Sequence, residues 1–211
     1  MTRKALLNVE RIAVVIAATT WVSIPLAAGD TRNLEVRSGL VKFEARTNVS
    51  AISVHGESAA MSAELILRKA DSGVEVDNLR AVVDPKTLST GMSVRDQHMR
   101  KRIFADNSEK MPALEFVSTK SSCPDLPQGP EVMCRISGNL SMRGVARPFE
   151  MDLKVRNDGK AYRVSGDAIV KLSSFGIEMP CQLGVCVTDD VKLRLEFQAK
   201  ENMGLRSGVA R

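Results

Sequence analysis

The stretch VKLRLEFQA, Val191 to Ala199, sets apolar Val191, Leu193, Leu195 and Phe197 in alternation with Lys192, Arg194, Glu196 and Gln198. A period of two marks a strand with one face on a core and the other in water. On a helix the same apolar residues would scatter around the circumference and bury nothing together. The segment therefore reads as a half-buried strand.

The same pattern recurs along the chain. VKFEA places Val41, Phe43 and Ala45 on one face, and AISVHGES does the same with Ile52, Val54 and Gly56. AELIL, with Leu65, pairs with VEVDNLRAVV across the turn KADSG. PALEFVS turns Leu114 and Phe116 inward; RISGNLSM turns Ile136, Leu140 and Met142; RPFEMDLKV turns Phe149, Met151 and Leu153. YRVSGDAIVKL adds one more run, and RGVARP, RNDGK and SSFGIEMPCQLGVC separate the later ones. Eight or nine short strands at hairpin spacing mean an antiparallel barrel or sandwich in one domain. Their charged outer faces suit water, not the lipid face of an outer-membrane barrel. The inward-phase residues Ala45, Gly56, Gly138, Gly166 and Ala168 are small, and Met142 and Met151 are adaptable. An eight-stranded interior is either just filled or wide enough for one small ligand, and periodicity leaves both open.

The first residues set the compartment. Arg3, Lys4 and Arg11 precede an uncharged run, Ile12 to Ala28, that ends in small residues before Asp30. This is the pattern of a secretory signal over residues 1–29, with an uncleaved anchor as the alternative. A barrel domain over 30–200 and a loose polar tail over 201–211 complete the expected organisation. The formal charge is +5, of which Arg3, Lys4, Arg11 and Glu10 account for +2, so the remainder is too weakly basic to call for nucleic acid. Four cysteines in an oxidising compartment favour disulfides over a four-thiolate zinc site, because no CxxC pair is present. Of three connectivities, the spacing favours Cys123–Cys134 and Cys181–Cys186.

One segment breaks the alternation. TLSTGMSVRDQHMRKRIF, Thr87 to Phe104, gathers Arg95, Asp96, His98, Arg100, Lys101 and Arg102. SVRD has the form of a capping box in which Ser93 caps a helix and Asp96 reaches back to it. The helix is expected from Val94 to near Ala105. Val94, Met99, Ile103 and Phe104 would face the body, and Arg95, Arg100 and Lys101 the solvent. His98 lacks a nucleophile and an orienting partner, since Asp96 lies two positions away on a helix and faces elsewhere. No HExxH or GxSxG motif is present, and no catalytic or metal-ligating set is assigned. Arg100-Lys101-Arg102 lacks the interleaved aromatics of a nucleic-acid surface. Basic residues at a barrel mouth are instead candidates to hold an anionic headgroup.

These residues carry a resemblance. VKFEARTNVSAISVHGES, the block from VVDPKTLSTG through MPALEFVST, ISGNLSMRGVARPFEMDLKV, FGIE and DDVKLRLEFQA resemble the YceI-like, polyisoprenoid-binding family of exported bacterial proteins. The likeness covers about Leu34 to Ala199. It is most specific at Leu88, Thr90-Gly91, Arg95-Asp96, His98, Phe104, Pro112 and Phe116. LSSFG, with Leu172, Ser173 and Ser174, stands where the family usually has an Arg-Ser-Asp type run. The resemblance implies an eight-stranded lipocalin-like antiparallel barrel, periplasmic or secreted, that binds rather than catalyses. Its ligand would be an isoprenoid lipid of quinone or polyprenyl phosphate type, with no required cofactor, and a homodimer is a common form. The inward residues Val41, Phe43, Val54, Leu65, Phe116, Leu140, Met142, Phe149, Met151, Leu193 and Leu195 would line the channel. Arg95, His98 and Arg100 are the headgroup candidates. The alternative is a filled barrel acting through its surface as a stress-response or protein-interaction module.

Overall fold

The structure, a computed structural model, describes residues 31–70, 73–123, 131–158 and 161–201. The expected signal segment and almost all of the expected tail lie outside these residues. Among the described residues, nine strands and one α-helix follow one another. The strands are β1 (Thr31–Thr47), β2 (Ser53–Ala70), β3 (Gly73–Val83), β4 (Leu114–Ser122), β5 (Glu131–Met142), β6 (Val145–Asn157), β7 (Tyr162–Lys171), β8 (Cys181–Gln182) and β9 (Val185–Glu201). The helix, α1 (Ser93–Met99), sits between β3 and β4.

Each long strand pairs antiparallel with its neighbour, and β1 returns to pair with β9, Val41 opposite Leu195 and Phe43 opposite Leu193. That last ladder closes eight strands into a barrel and excludes the sandwich. β8 is a two-residue stub that folds back on β9. Two tight turns have the twist-matched geometry that hairpins need: Arg143-Gly144 (φ 55° and 77°) joins β5 to β6, and Leu183-Gly184 (φ 51° and 79°) joins β8 to β9. Glycine takes the second position of each because it adopts positive φ without steric cost.

The connections place α1, the β1–β2 loop, the β5–β6 turn and the segment between β7 and β9 at one end of the barrel, the helix end. The starts of β1, β3, β5 and β7 and the finish of β9 lie at the opposite, far end. Both disulfides form as the spacing suggested, Cys123–Cys134 and Cys181–Cys186. The first joins the far end of β4 to β5. The second staples the β8–β9 hairpin, where Cys181 and Cys186 sit directly opposite.

The alternation holds through most of the core, with Ile136, Val36 and Met61 almost fully buried. The outward faces carry cross-strand ion pairs such as the bidentate Arg135–Asp152 (2.7 and 2.9 Å) and Lys171–Asp190 (2.8 Å). Two apolar residues depart from expectation. Ile52 is 43% exposed because β2 begins one residue later, and its carbonyl accepts a hydrogen bond from Thr47 Oγ1 in the β1–β2 turn. Val94 is 63% exposed because it lies on the solvent side of the first turn of α1.

The inward glycines do not leave hollows. A Cβ on Gly56 would meet the Phe43 ring, and one on Gly166 would meet Leu153. Gly138 lies on β5 between β4 and β6, and over it the rings of Phe116 and Phe149 meet edge to face, centroids 6.1 Å apart at 74°. A side chain there would collide with the Val117 carbonyl oxygen and the Phe116 ring. Gly138→Val is therefore expected to lower stability by about 2 kcal/mol through overpacking, read as a lower urea midpoint at unchanged m value. An unshifted midpoint would mean that the wall tolerates a side chain between the two rings.

Candidate functional site

The residues from Leu88 to Ala105 build the helix end around one buried carboxylate. Asp96 is 6% exposed. It does not reach back to Ser93, and the expected capping box is absent: the N-cap position is Met92, without a side-chain bond. Asp96 reaches further, to the preceding turn. It accepts hydrogen bonds from Ser89 Oγ (2.8 Å), the Thr90 amide (2.7 Å) and Thr90 Oγ1 (2.5 Å). Thr90 can take this place because Gly91, at φ 78°, turns the chain just after it. Arg95 closes the turn from outside, donating from Nε to Thr90 Oγ1 (2.8 Å) and from Nη2 to the Thr90 carbonyl (2.7 Å). Burial works to raise the Asp96 pKa, but the Thr90 and Ser89 hydrogen bonds and the Arg100 charge outweigh it and hold the carboxyl below the usual carboxylate range.

After Met99 the coil widens into one π turn, Arg100–Phe104, closed by the Ala105 amide on the Arg100 carbonyl (3.0 Å). The wider turn accompanies the burial of Phe104 and Ala105, and Arg143 Nε then ties the Ala105 carbonyl to the β5–β6 turn (2.7 Å). Arg100 and Arg95 are half-buried rather than solvated, whereas Lys101 is exposed. Arg100 Nη2 donates to the Leu88 carbonyl (3.1 Å), and its Nε is buried without a hydrogen-bond partner among the described residues. His98 points to solvent.

The far end is different in kind. A cavity of about 50 Å³ lies there, walled by Leu34, Leu65, Leu79, Ile136, Tyr162 and Phe197 among others, and by the Cys123–Cys134 bridge. Among the described residues, the lining side chains are apolar apart from the Tyr162 hydroxyl. The eleven residues expected to line a channel all belong to the inward apolar cluster. Of them, Leu65 alone borders this cavity. Phe43, Leu140, Phe149, Met151, Leu193 and Leu195 lie along the middle and helix-end stretches, inward but only partly buried. The headgroup candidates Arg95, His98 and Arg100 stand at the opposite end from the cavity. Leu34, Tyr162 and Phe197, which the sequence reading did not assign to a site, sit at strand positions where alternation alone marks them as core.

A second recess of about 430 Å³ opens in the wall between β6 and β7 near the helix end. The β6–β7 ladder runs from Asn157↔Tyr162 to Asp152↔Asp167 and stops. Val145–Met151 and Ala168–Lys171 are left without ladder partners across that seam. Arg147, Pro148, Ile169 and Lys171 line the gap, and Phe175 of the following 3-10 turn packs into it. Arg147 Nε fastens that turn through the Ser174 carbonyl (2.7 Å). Ser173 donates from its amide (2.7 Å) and hydroxyl (2.8 Å) to Asp189, whose pKa is lowered by these bonds.

The chain is thus an eight-stranded closed barrel with an apolar interior and a helix between its third and fourth strands. Residues 30–199 match the model of the YceI-like domain. The chain belongs to that family. Curated relatives include a UPF0312 protein of Pseudomonas paraeruginosa, 30% identical over 109 residues, and Protein YceI of Salmonella arizonae, 27% identical over 107 residues. These matches take in 49% and 48% of the chain, and it spans about half the length of each relative, 53% and 52%. Among solved structures, a polyisoprenoid binding domain from Saccharophagus degradans implicated in plant cell wall breakdown superposes with TM-score 0.60 at 14% identity, over 80% of this chain and 98% of that one. BcnA of Burkholderia cenocepacia gives TM-score 0.57 at 16% identity, over 76% and 96%. At these identities the structural likeness is one of fold.

The Asp96 network predicts a defined pH dependence. The folded-state pKa of Asp96 is lowered, so its contribution is complete above the unfolded carboxylate value of about 3.9. That contribution is lost as pH falls through the lower folded value. Asp96→Asn is expected to cost about 2 kcal/mol at pH 7, where it leaves charge-assisted hydrogen bonds unmade. The difference between variant and parent should be constant above about pH 5 and shrink below about pH 4. Denaturant midpoints across that range check both the size and the direction.

Proposed function

We propose that this YceI-like chain binds an isoprenoid lipid, of quinone or polyprenyl phosphate type, inside the barrel, and that it works as an exported periplasmic or secreted binding protein. The observation that carries the reading is the interior itself. An apolar cavity lies at the far end, and inward but only partly buried apolar side chains, among them Leu195, Met151, Phe149 and Leu140, occupy the barrel between it and the helix end. The polyisoprenoid binding domain from Saccharophagus degradans, which shares this fold, supports the ligand class. Two disulfides and charged outer faces fit an exported protein.

Burial of the isoprenoid chain supplies the driving force, at about 25 cal/mol per Å² removed from water. The cavity of about 50 Å³ is smaller than the ~150 Å³ that admits a benzene ring. Loading therefore requires side chains to move, and the methionines Met61, Met142 and Met151 are suited to that because they are unbranched and repack at low cost. Of the three basic headgroup candidates, Arg100 keeps a buried donor without an acceptor, whereas Arg95 is held by Thr90 and His98 faces water. The reading is of binding rather than catalysis, since Asp96 is committed to Ser89 and Thr90 and is not free to orient His98.

The smallness of the cavity favours a second reading, a filled barrel that acts through its surface. Organic extraction of protein purified from its native compartment, followed by mass spectrometry, separates the two. Lipid binding predicts an isoprenoid at close to one per chain. An empty extract, repeated after the protein is offered quinone and polyprenyl phosphate, supports the filled barrel. Phe43→Arg and Leu140→Arg place a charge in the interior and are expected to abolish loading. If both variants fold normally and load fully, the channel lies elsewhere.

A further inference from the structure

A cavity too small for its ligand needs a wall that opens, and the seam between β3 and β4 is built for that. The backbone ladder between them runs only from Arg80↔Val117 to Val83↔Leu114, at the helix-end half. Towards the far end two serine side chains take the place of the ladder. Leu79 donates its amide to Ser118 Oγ (2.9 Å), and Val76 donates its amide to Ser121 Oγ (2.8 Å). Ser121 Oγ returns a longer bond to the Val76 carbonyl (3.3 Å).

Both strands carry a register shift here. On β3, Ile66↔Asn78 is followed by Leu67↔Val76, which leaves Asp77 unpaired, and on β4 the register slips between Ser118 and Lys120. Such bulges bend the strand that carries them, and these two lie in the β2–β3 and β4–β5 ladders on either side of the seam. They leave Ser118, Ser121 and Cys123 on the inward side of β4, half-buried, with Thr119, Lys120 and Ser122 outward. Two inward hydroxyls in an apolar lining are thus spent on the neighbouring strand's amides. The seam also borders the cavity: Val76 and Leu79 line it from β3, and Cys123 lines it from the end of β4. The Cys123–Cys134 bridge fixes β4 to β5 at that point, so that β4 and β5 move as one body relative to β3.

We infer that the β3–β4 seam is the side entrance through which a single apolar chain reaches the interior, with Ser118 and Ser121 as its latch. The inference rests on the lipid-binding reading and adds the route. Parting the far-end half of the seam breaks three neutral hydrogen bonds, all made by two serine side chains and each worth only about 1 kcal/mol net. Water can satisfy the freed amides and hydroxyls once the seam is open. The recess between β6 and β7 shares no lining residue with the cavity and is blocked by Phe175.

The test uses dansyl-labelled farnesol and the full chain. Continuing the register of Arg80↔Val117 sets Leu79 opposite Ser118, both inward, so Leu79→Cys with Ser118→Cys cross-links the seam. Lys154→Cys with Ser165→Cys does the same across β6 and β7, where the two residues are ladder partners. In proteins whose native bridges are confirmed by peptide mapping, the β3–β4 cross-link is expected to slow probe uptake at least about tenfold, and the β6–β7 cross-link to leave it unchanged. Ser118→Ala with Ser121→Ala is expected to speed release by about tenfold, the effect of losing ~1.4 kcal/mol of latch. Hydrogen exchange on the unmodified protein provides a check free of folding defects. The Val76 and Leu79 amides should exchange at least about tenfold faster than amides in the β5–β6 ladder. Equal protection at the two places, or unchanged uptake by the protein cross-linked at β3–β4, overturns the entrance. No equilibrium binding of the probe to the unmodified protein removes the lipid-binding reading itself, and the entrance with it.

Discussion

The ladder between β1 and β9 is the constraint on which the rest of the molecule depends. It joins strands at the two extremes of the described chain and turns an open sheet into a ring. Once eight strands are closed, the interior has a fixed width, and every inward residue competes for the same space. Gly39 shows how tight the result is: it sits opposite Phe197 across this ladder, and a Cβ there would strike Met61. The paired phenylalanines over Gly138 show the same economy on the other side of the ring, where an absent side chain makes room for two rings to meet.

Within that ring the two ends do different work. The helix end is polar and over-determined: Asp96, Ser89, Thr90, Arg95 and Arg100 are joined to one another or to the backbone of Leu88 and Thr90. Among the described residues, the far-end cavity is walled by apolar side chains and the Tyr162 hydroxyl, with one disulfide and two serine bridges at its edge. On the proposed lipid-binding reading, a directional hydrogen-bonded network at one end would let the cover keep its shape while non-directional apolar contacts at the other let the wall open.

Much of this was legible in the sequence. The alternation in VKLRLEFQA and its counterparts identified the strands, and the eleven residues expected to line a channel all pack with the inward apolar cluster. The local cysteine pairs were readable because each spans a short stretch of chain. What the sequence concealed depends on register between strands. Nothing in LEFVSTKSS announces that Ser118 and Ser121 reach the amides of Leu79 and Val76, because those contacts exist only once two bulges have been placed. Asp96 was read correctly as a residue that reaches back and wrongly as one that reaches Ser93, since Gly91 brings the Thr90 turn within range. Ile52 and Val94 followed the apolar pattern into positions where the strand had not begun or the helix faced outward. The location of the cavity, away from Arg95 and His98, is a property of three-dimensional closure and has no local sequence signal.

A closed barrel is normally free of strand edges, and so of the main template for uncontrolled association with other chains. This closed ring has an interrupted ladder near the helix end, because β6–β7 pairing ends at Asp152↔Asp167 and leaves two short edges there. The residues there are those that discourage an incoming strand. Pro148 has no amide to offer, while Arg147 and Lys171 place charge beside the gap and Phe175 occupies it. The opening in the wall is thereby protected against aggregation by its own sequence. That protection lets the wall keep a gap without offering a strand edge to a neighbouring chain.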